Sequence, residues 1–241
     1  QKGPALVCVM FANNETGIIQ PIKKISEIVR KYNSYLFCDA VQAYGKIKIN
    51  FNELDIHFMA LSAHKVGGFP GSGALIINES IKKIVPITLG GGQEFGLRGG
   101  TENLIGITAF GECAKLIDEI WSENQKLKEY INILEKNIES FGGFIFGGNS
   151  QRLPNTSLFA FPNIKADTML IKLDLAGYSV SSGSACSSGK VKKSHVLEAM
   201  NIDDKISSNA IRISLGWATK KNHITNLLNF FEDVFNKTVL E

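Results

Sequence analysis

The sequence FMALSAHKVGGFPG, residues 58–71, indicates the fold class most directly. An apolar run of strand length ends there in Ser62-Ala63-His64-Lys65, and a glycine-rich turn follows. Polar groups directly after a buried strand are typical of open α/β sheets, whose carboxyl strand ends line the ligand crevice. Similar apolar runs occupy residues 5–12, 35–40 and 73–78. The continuous run at 5–12 is of the kind that a parallel sheet buries on both faces.

A helix is predicted between the first two strands. Pro21 opens it, and Ile22, Ile25, Val29 and Tyr32 fall on one stripe. The alternation of strand and helix predicts an α/β domain with a mostly parallel sheet.

The second half of the chain has a different pattern. Apolar residues after Thr101 recur at helical spacing, which predicts a long helix or a helix pair. From about Pro154 the pattern is α+β, with strands near 157–161, 178–181 and 210–215 and helices near 168–176 and 222–235. We therefore expect two domains, residues 1–120 and residues 121–241.

Composition excludes several classes of protein. The 241 residues carry 26 Lys+Arg and 23 Asp+Glu, a net charge of +3, which is too small and too scattered for a nucleic-acid-binding surface. No apolar run approaches the ~20 residues of a membrane-spanning helix. The four cysteines at 8, 38, 113 and 186 form no C-x-x-C pair, which argues against a zinc site. Thiols inside apolar strands favour a reducing compartment, and we expect a cytoplasmic protein.

Lys65 is the first candidate catalytic residue. An amine at a partly desolvated strand end can form a Schiff base with a carbonyl group or with pyridoxal phosphate, and Ser62 and His64 can donate to a phosphate. The alternative is a lysine that simply points into water.

Asp39, in the sequence FCDAVQ of residues 37–42, is the second candidate. A carboxylate at the end of an apolar strand needs a partner, and a protonated pyridine nitrogen is one. Gln42 reaches the phenolic oxygen of the same ring if the chain turns after Asp39. The alternative is an aspartate that caps the next helix.

Four further stretches contain candidate residues, and the first two are weak signals by themselves. Turn chemistry explains NNETG at residues 13–17, and RGGTEN at residues 98–103 is compatible with an ordinary loop. Cys186 stands in a run of serine and glycine where a thiol is accessible, and the alternative is a linker that contains a cysteine. Arg212 alternates with apolar neighbours on a strand, so it either clamps a carboxylate or faces solvent.

Taken together and in order, NNETG, DAVQ, SAHK, RGGTEN, SSGSACSSG and IRISLG resemble the cysteine desulfurases of the class-V aminotransferase family. The matching stretches run from residue 13 to residue 216. The resemblance implies the pyridoxal-phosphate (PLP)-dependent transferase fold, fold type I, with part of the large domain in residues 1–120 and a small α+β domain after it. It also implies removal of sulfur from L-cysteine, with L-alanine and an enzyme persulfide as products, for iron–sulfur cluster assembly.

The resemblance assigns a role to each matched residue. Lys65 is the Schiff-base lysine, Asp39 pairs with the pyridine nitrogen and Gln42 with the phenolic oxygen. Ser62-Ala63-His64 binds the cofactor through its phosphate, with His64 also among the catalytic residues. Asn14 lies near the phenolic oxygen and the substrate carboxylate, which Arg212 holds.

Two implied roles involve other molecules. Thr101 reaches the phosphate of a neighbouring subunit, so a homodimer is implied. Cys186 attacks the substrate sulfur and passes it to a scaffold protein or another sulfur acceptor. No resident metal is implied, although the resemblance leaves open that Cys186 shares an iron–sulfur cluster as a ligand during transfer.

The resemblance also implies a further N-terminal stretch that holds a ring-stacking histidine and a threonine-containing phosphate loop. We therefore expect the chain alone to lack desulfurase activity. A selenocysteine lyase or another class-V enzyme is the nearest alternative. A non-catalytic fragment that dimerises or docks a scaffold protein is an alternative of another class.

Overall fold

The structure is a computed structural model that describes residues 3–183 and 193–238. Its contacts divide the chain into two compact units. The first contains residues 1–12 and 20–121, and the second contains residues 13–19 and 122–241. The short segment Asn13–Ile19 thus clusters with residues that follow it by more than a hundred positions.

The first unit is built on a four-stranded sheet in the order β1-β2-β3-β4. The pairs β1–β2 and β2–β3 are parallel, and β3–β4 is antiparallel, so the sheet is mostly parallel as predicted. Its elements in chain order are β1 (Leu6–Met10), α1 (Ile22–Lys31), β2 (Tyr35–Asp39), α2 (Phe51–Leu54), β3 (Phe58–Ser62), a 3-10 turn (Ala63–Lys65), β4 (Gly73–Ile77), a second 3-10 turn (Glu94–Gly96) and α3 (Leu104–Lys115).

Two predictions about burial in this unit are wrong. Leu6 is 58% exposed and Cys8 is exposed, because β1 is an edge strand of the described sheet and is not covered on both faces. Tyr32 is 74% exposed because α1 already ends at Lys31 and Tyr32 is its C-cap. By contrast, Cys38 on β2 is completely buried.

The second unit contains an antiparallel sheet in the order β5-β6-β8-β7. The core between this sheet and the helices is dominated by aliphatic and phenylalanine side chains, with Phe159, Phe161 and Phe231 in mutual edge contact. Its elements are α4 (Ile117–Ser140, which enters from the first unit), β5 (Phe144–Ile145), β6 (Thr156–Ala160), α5 (Ala166–Leu175), β7 (Ser181–Ser182), α6 (His195–Ala199), α7 (Asp204–Ser207), β8 (Ala210–Ser214) and α8 (Lys221–Thr238).

The predicted helix pair after Thr101 is present as α3 and α4. The strand predicted near 178–181 is reduced to Ser181–Ser182. Tyr178 instead lies just after the end of α5: its backbone N–H donates to the Leu173 carbonyl oxygen, and its ring packs against Phe230. No helix in the described part of the chain is both long and apolar enough to cross a membrane.

Candidate active site

Lys65 lies in the 3-10 turn directly after β3, at the carboxyl end of the strand. Ala63 begins this turn, is completely buried, and accepts hydrogen bonds from the N–H groups of Val66 and Gly68 at 3.0 and 2.9 Å. A Cβ atom at Gly68 would lie 3.0 Å from the Ala63 Cβ, so the turn has little room for a side chain there. The Lys65 side chain is exposed and has no ion pair or hydrogen bond among the described residues.

Ser62 and His64 lie on either side of Ala63 and are joined to each other. The Ser62 Oγ and the His64 Nδ1 are 2.8 Å apart. This contact leaves the Nε2 of His64 free toward solvent, since the histidine is exposed. With a neutral imidazole, the pair therefore presents one polar hydrogen at the edge where Lys65 lies, on the His64 Nε2 or on the Ser62 Oγ according to the tautomer.

Asp39 is the last residue of β2 and lies at the same edge. It pairs in register with Ala60, two residues before the end of β3. Its Oδ1 accepts the N–H of Val41 at 3.0 Å, which closes a turn, while its Oδ2 has no hydrogen-bond partner in the described part of the chain. In place of the helix cap that was the alternative interpretation, Asp39 caps a turn with one oxygen and leaves the other without a partner among the described residues.

The buried thiol of Cys38, beside Asp39, is unreactive. Desolvation, and then the charge of Asp39, raise the pKa of Cys38 to about 12. Because the thiolate is the reactive form, Cys38 is inert at neutral pH.

Gln42 follows Asp39 in the turn and is half buried. Its Oε1 accepts a hydrogen bond from the Lys46 Nζ at 3.1 Å. A lysine can only donate, so this contact directs the amide nitrogen of Gln42 elsewhere as a free donor. Such a donor suits a phenolate oxygen.

Thr101 is not joined to these residues by any hydrogen bond that the structure describes. It is exposed, in the loop before α3, and Asn103 caps that helix by accepting the N–H of Gly106 at 3.1 Å. The first unit therefore brings together Asp39, Gln42 and the 62–65 turn, and it holds Thr101 in a separate loop.

The second unit brings together Asn14 and Arg212. Arg212 is on β8, and its Nη1 donates to the backbone carbonyl oxygen of Asn14 at 2.7 Å. Its Nη2 lies 3.4 Å from the Ser181 Oγ. The Nε is buried and has no partner among the described residues. Arg212 is half buried, so the alternative that it simply faces solvent does not hold, and its binding of a carboxylate stays a prediction.

Asn13–Gly17 forms a tight turn around the Asn13 side chain. The Asn13 Oδ1 accepts from the N–H groups of Glu15 and Thr16, both at 2.9 Å. Gly17 has φ +72°, a backbone conformation that side chains disfavour, and it packs on Thr156. The backbone carbonyl of Asn14 is thereby fixed toward Arg212.

Sequence reasoning gave no role to Glu15 or Ser194, which the structure joins. Glu15 is 5% exposed, and its Oε2 accepts the Ser194 hydroxyl at 2.5 Å. The signal in the sequence was a charged residue inside a turn motif. Its partner, 179 positions later, has no local signal at all.

Cys186 lies outside the described residues, between Gly183 and Lys193. Within residues 3–183 and 193–238 there is no group of three or more His, Cys, Asp and Glu side chains placed to hold a metal ion.

The residues of the first unit fit pyridoxal phosphate. The free Asp39 Oδ2 could accept a hydrogen bond from a pyridine N–H, the Gln42 amide could donate to a phenolate, and the Lys65 amine is unengaged among the described residues. The Ser62–His64 pair could donate to a phosphate. These are the donors and acceptors that this cofactor requires, arranged at the carboxyl end of adjacent parallel strands.

Comparison with known proteins gives a consistent result. The family model described as aminotransferase class-V matches residues 1–227. The chain is 39% identical to a protein named cysteine desulfurase IscS from Dictyoglomus turgidum, covering 98% of this chain and 61% of the relative. It is 38% identical to a cysteine desulfurase IscS from Clostridium botulinum, covering 96% of this chain and 59% of the relative. The chain thus spans about three-fifths of the length of these curated relatives.

Solved structures agree in fold. A NifS-like protein from Rickettsia africae matches with a TM-score of 0.88 at 37% identity, covering 97% of this chain and 62% of that one. A cysteine desulfurase from Thermococcus onnurineus matches with a TM-score of 0.83 at 18% identity, covering 96% of this chain and 60% of the other, and shows the fold alone.

Proposed function

The chain belongs to the aminotransferase class-V family, and from that premise we propose that it forms the larger part of a PLP-dependent cysteine desulfurase. The observation that carries the proposal is the edge of the first sheet. Lys65, with no partner in the described residues, follows β3, and Asp39, with one free carboxylate oxygen, ends the neighbouring β2.

In this proposal the first unit holds the cofactor. Lys65 is its covalent attachment point, Asp39 keeps the pyridine nitrogen protonated, and Gln42 donates to the phenolic oxygen. Ser62 and His64 donate to the phosphate, and Ala63 provides the closely packed turn that keeps them together. When bound, the cofactor supplies an electron sink for the carbon skeleton of the substrate.

Asn14 and Arg212 bind the substrate in this proposal. Arg212 holds the carboxylate of L-cysteine, because its buried Nε is a donor without a partner among the described residues.

Cys186 accepts the sulfur in this proposal. Its thiolate attacks the substrate sulfur, the substrate Cβ–S bond breaks, and a new S–S bond forms. The carbon fragment gains protons and leaves as L-alanine, so cysteine and a thiol yield alanine and a persulfide. His64 is exposed beside Lys65 and exchanges protons with it and with solvent.

Three further parts of the proposal concern other molecules and the cell. A homodimer is supported by the apolar side chains of the loop that leads to Thr101, in which Ile87 and Phe95 are each 99% exposed. The persulfide sulfur goes to an iron–sulfur scaffold protein or another acceptor, as the relatives' IscS names suggest. A cytoplasmic location is supported by free thiols at Cys8, Cys38 and Cys113.

Addition of pyridoxal phosphate to the purified chain tests the cofactor site first. A visible absorbance band, followed by borohydride reduction and peptide mapping, should place the label on Lys65. Lys65→Ala should lose the band, whereas Lys83→Ala, an exposed lysine of the same unit, should retain it. A label on another residue would contradict the assignment of Lys65.

Turnover is tested on the chain and on a completed protein, defined as this chain fused to the part of the Dictyoglomus turgidum relative that it does not match. The completed protein should release L-alanine from L-cysteine and form a persulfide that Cys186→Ser abolishes. Turnover of selenocysteine at a rate equal to that of cysteine, with no persulfide formed on the protein, would indicate a selenocysteine lyase. Absence of both the cofactor band and turnover would indicate a non-catalytic protein.

A further inference from the structure

Glu15 is a buried carboxylate that the proposed reaction does not use. It is 5% exposed, and its one hydrogen bond in the described part of the chain comes from the Ser194 hydroxyl. This contact ties the turn at residues 13–17 to the start of α6, 179 positions later in the chain.

The position of Glu15 in the chain connects it to the substrate-binding arginine. Glu15 directly follows Asn14, whose backbone carbonyl accepts the hydrogen bond from the Arg212 Nη1 at 2.7 Å. On the other side of Asn14, the Asn13 side chain closes the turn with three hydrogen bonds. The direction of the Asn14 carbonyl is thus fixed from both sides, by Asn13 before it and by the Glu15–Ser194 contact after it.

Arg212 depends on that carbonyl for its orientation. Within the described residues its guanidinium has no carboxylate within ion-pair distance, and its hydrogen bonds go to the Asn14 carbonyl and, at 3.4 Å, to the Ser181 hydroxyl. The buried Nε is left as a donor without a partner there. A buried donor of this kind is expected to be satisfied by a ligand, and an arginine edge fits a carboxylate.

We propose that Glu15 is a positioning residue for recognition of the substrate carboxylate: through Ser194 it holds the turn whose Asn14 carbonyl orients Arg212. This inference rests on the proposed function, because it takes the amino acid carboxylate as the ligand of Arg212. Ser194 also caps α6 by accepting the N–H of Leu197 at 3.1 Å, so the anchor of Glu15 is itself held in place.

Binding without turnover tests the inference. The completed protein carrying Cys186→Ser is loaded with pyridoxal phosphate, and the absorbance change is titrated with L-cysteine and with cysteamine, which lacks the carboxylate. Glu15→Ala should weaken L-cysteine binding about tenfold, the effect of misplacing one charge-assisted hydrogen bond, and leave cysteamine binding unchanged. Glu15→Gln retains an acceptor for Ser194 and should restore cysteine binding to within about twofold.

A double-mutant cycle separates positioning from general damage. In an Arg212→Ala background, Glu15→Ala should have almost no further effect on cysteine binding, since the residue through which it acts is gone. Glu135→Ala, which removes another largely buried carboxylate of the same unit, should not change the ratio of cysteine to cysteamine affinity. If Glu15→Ala does not fold, Ser194→Ala carries the same test.

The outcomes are distinguishable. Equal weakening of cysteine and cysteamine by Glu15→Ala, or full additivity with Arg212→Ala, overturns the positioning role while the proposed function stands. No absorbance response of the parent protein to either ligand overturns the proposed function, and this inference with it.

Discussion

The ion pair between Arg152 and Glu135 provides a quantitative test of what holds the second unit together. The guanidinium contacts both carboxylate oxygens, at 2.6 and 2.7 Å, and Ser157 donates to Oε1 of the same carboxylate at 2.6 Å. The two side chains are only 12% and 13% exposed. Arg152→Ala leaves the Glu135 charge largely buried with one hydroxyl partner. Removal of one partner of a buried pair costs about 3–5 kcal/mol, and the residual exposure reduces this to about 2–4 kcal/mol here.

The chain contains a matched control for this prediction. Lys126 and Glu123, on α4, form an ion pair at 2.6 Å, but their side chains are 66% and 48% exposed. Lys126→Ala should therefore cost less than about 1 kcal/mol. Urea unfolding followed by circular dichroism measures both variants. If Arg152→Ala destabilises the protein no more than Lys126→Ala, desolvation is not what makes the Arg152–Glu135 pair important.

Three predictions concern the first unit. The His57 Nδ1 accepts the N–H of Leu36, and burial, followed by the Arg30 charge, lowers the pKa of His57. The folded state thus favours the neutral ring, so this contribution to the free energy of unfolding is complete above pH ~6.5 and falls as the pH drops below that value. Urea titrations should show this loss of stability in acid, and His57→Gln should reduce its dependence on pH. Cys38, with a pKa of about 12, should resist iodoacetamide at pH 8 until the protein unfolds, whereas exposed Cys8 should react at once in a mass-spectrometric time course. Asp39→Asn keeps an acceptor for its turn but loses the charge, so spectral titration should show cofactor affinity lowered about tenfold or more without loss of folding.

The sequence predicts the first sheet well because the pattern that identifies each strand lies within a few consecutive residues. Apolar runs of four or more residues define β1 to β3, and parallel neighbours must end at the same edge. The sequence therefore predicts that Asp39 and the 62–65 turn lie together, and they do. The exposure of Leu6 was not predictable in the same way, since burial depends on what covers a strand and not on the strand itself.

Two contacts of the second unit are long-range and have no local signal in the sequence. Glu15 and Ser194 are separated by 179 positions, and Arg212 and Asn14 by 198. Turn chemistry explains Asn13 and Gly17 completely, so nothing in NNETG indicates that the segment clusters with the second unit. Pairing at such separation is decided by tertiary packing, for which a single sequence carries no periodic signal.

The rigidity of the turn that orients Arg212 comes from backbone pairing as well as from Glu15. Ile18 forms an antiparallel bridge with Arg152, and the N–H of Ile19 donates to the Gln151 carbonyl at 2.8 Å. These contacts belong to the main chain of residues 151 and 152, whereas the ion pair with Glu135 belongs to the Arg152 side chain. Arg152→Ala therefore removes stability but leaves the backbone bridge in place, and the ratio of cysteine to cysteamine affinity should not change. Glu15→Ala, by contrast, should lower the ratio of cysteine to cysteamine affinity. A shift of the ratio in Arg152→Ala would show that the orientation of Arg212 depends on the stability of the whole unit and not on the turn.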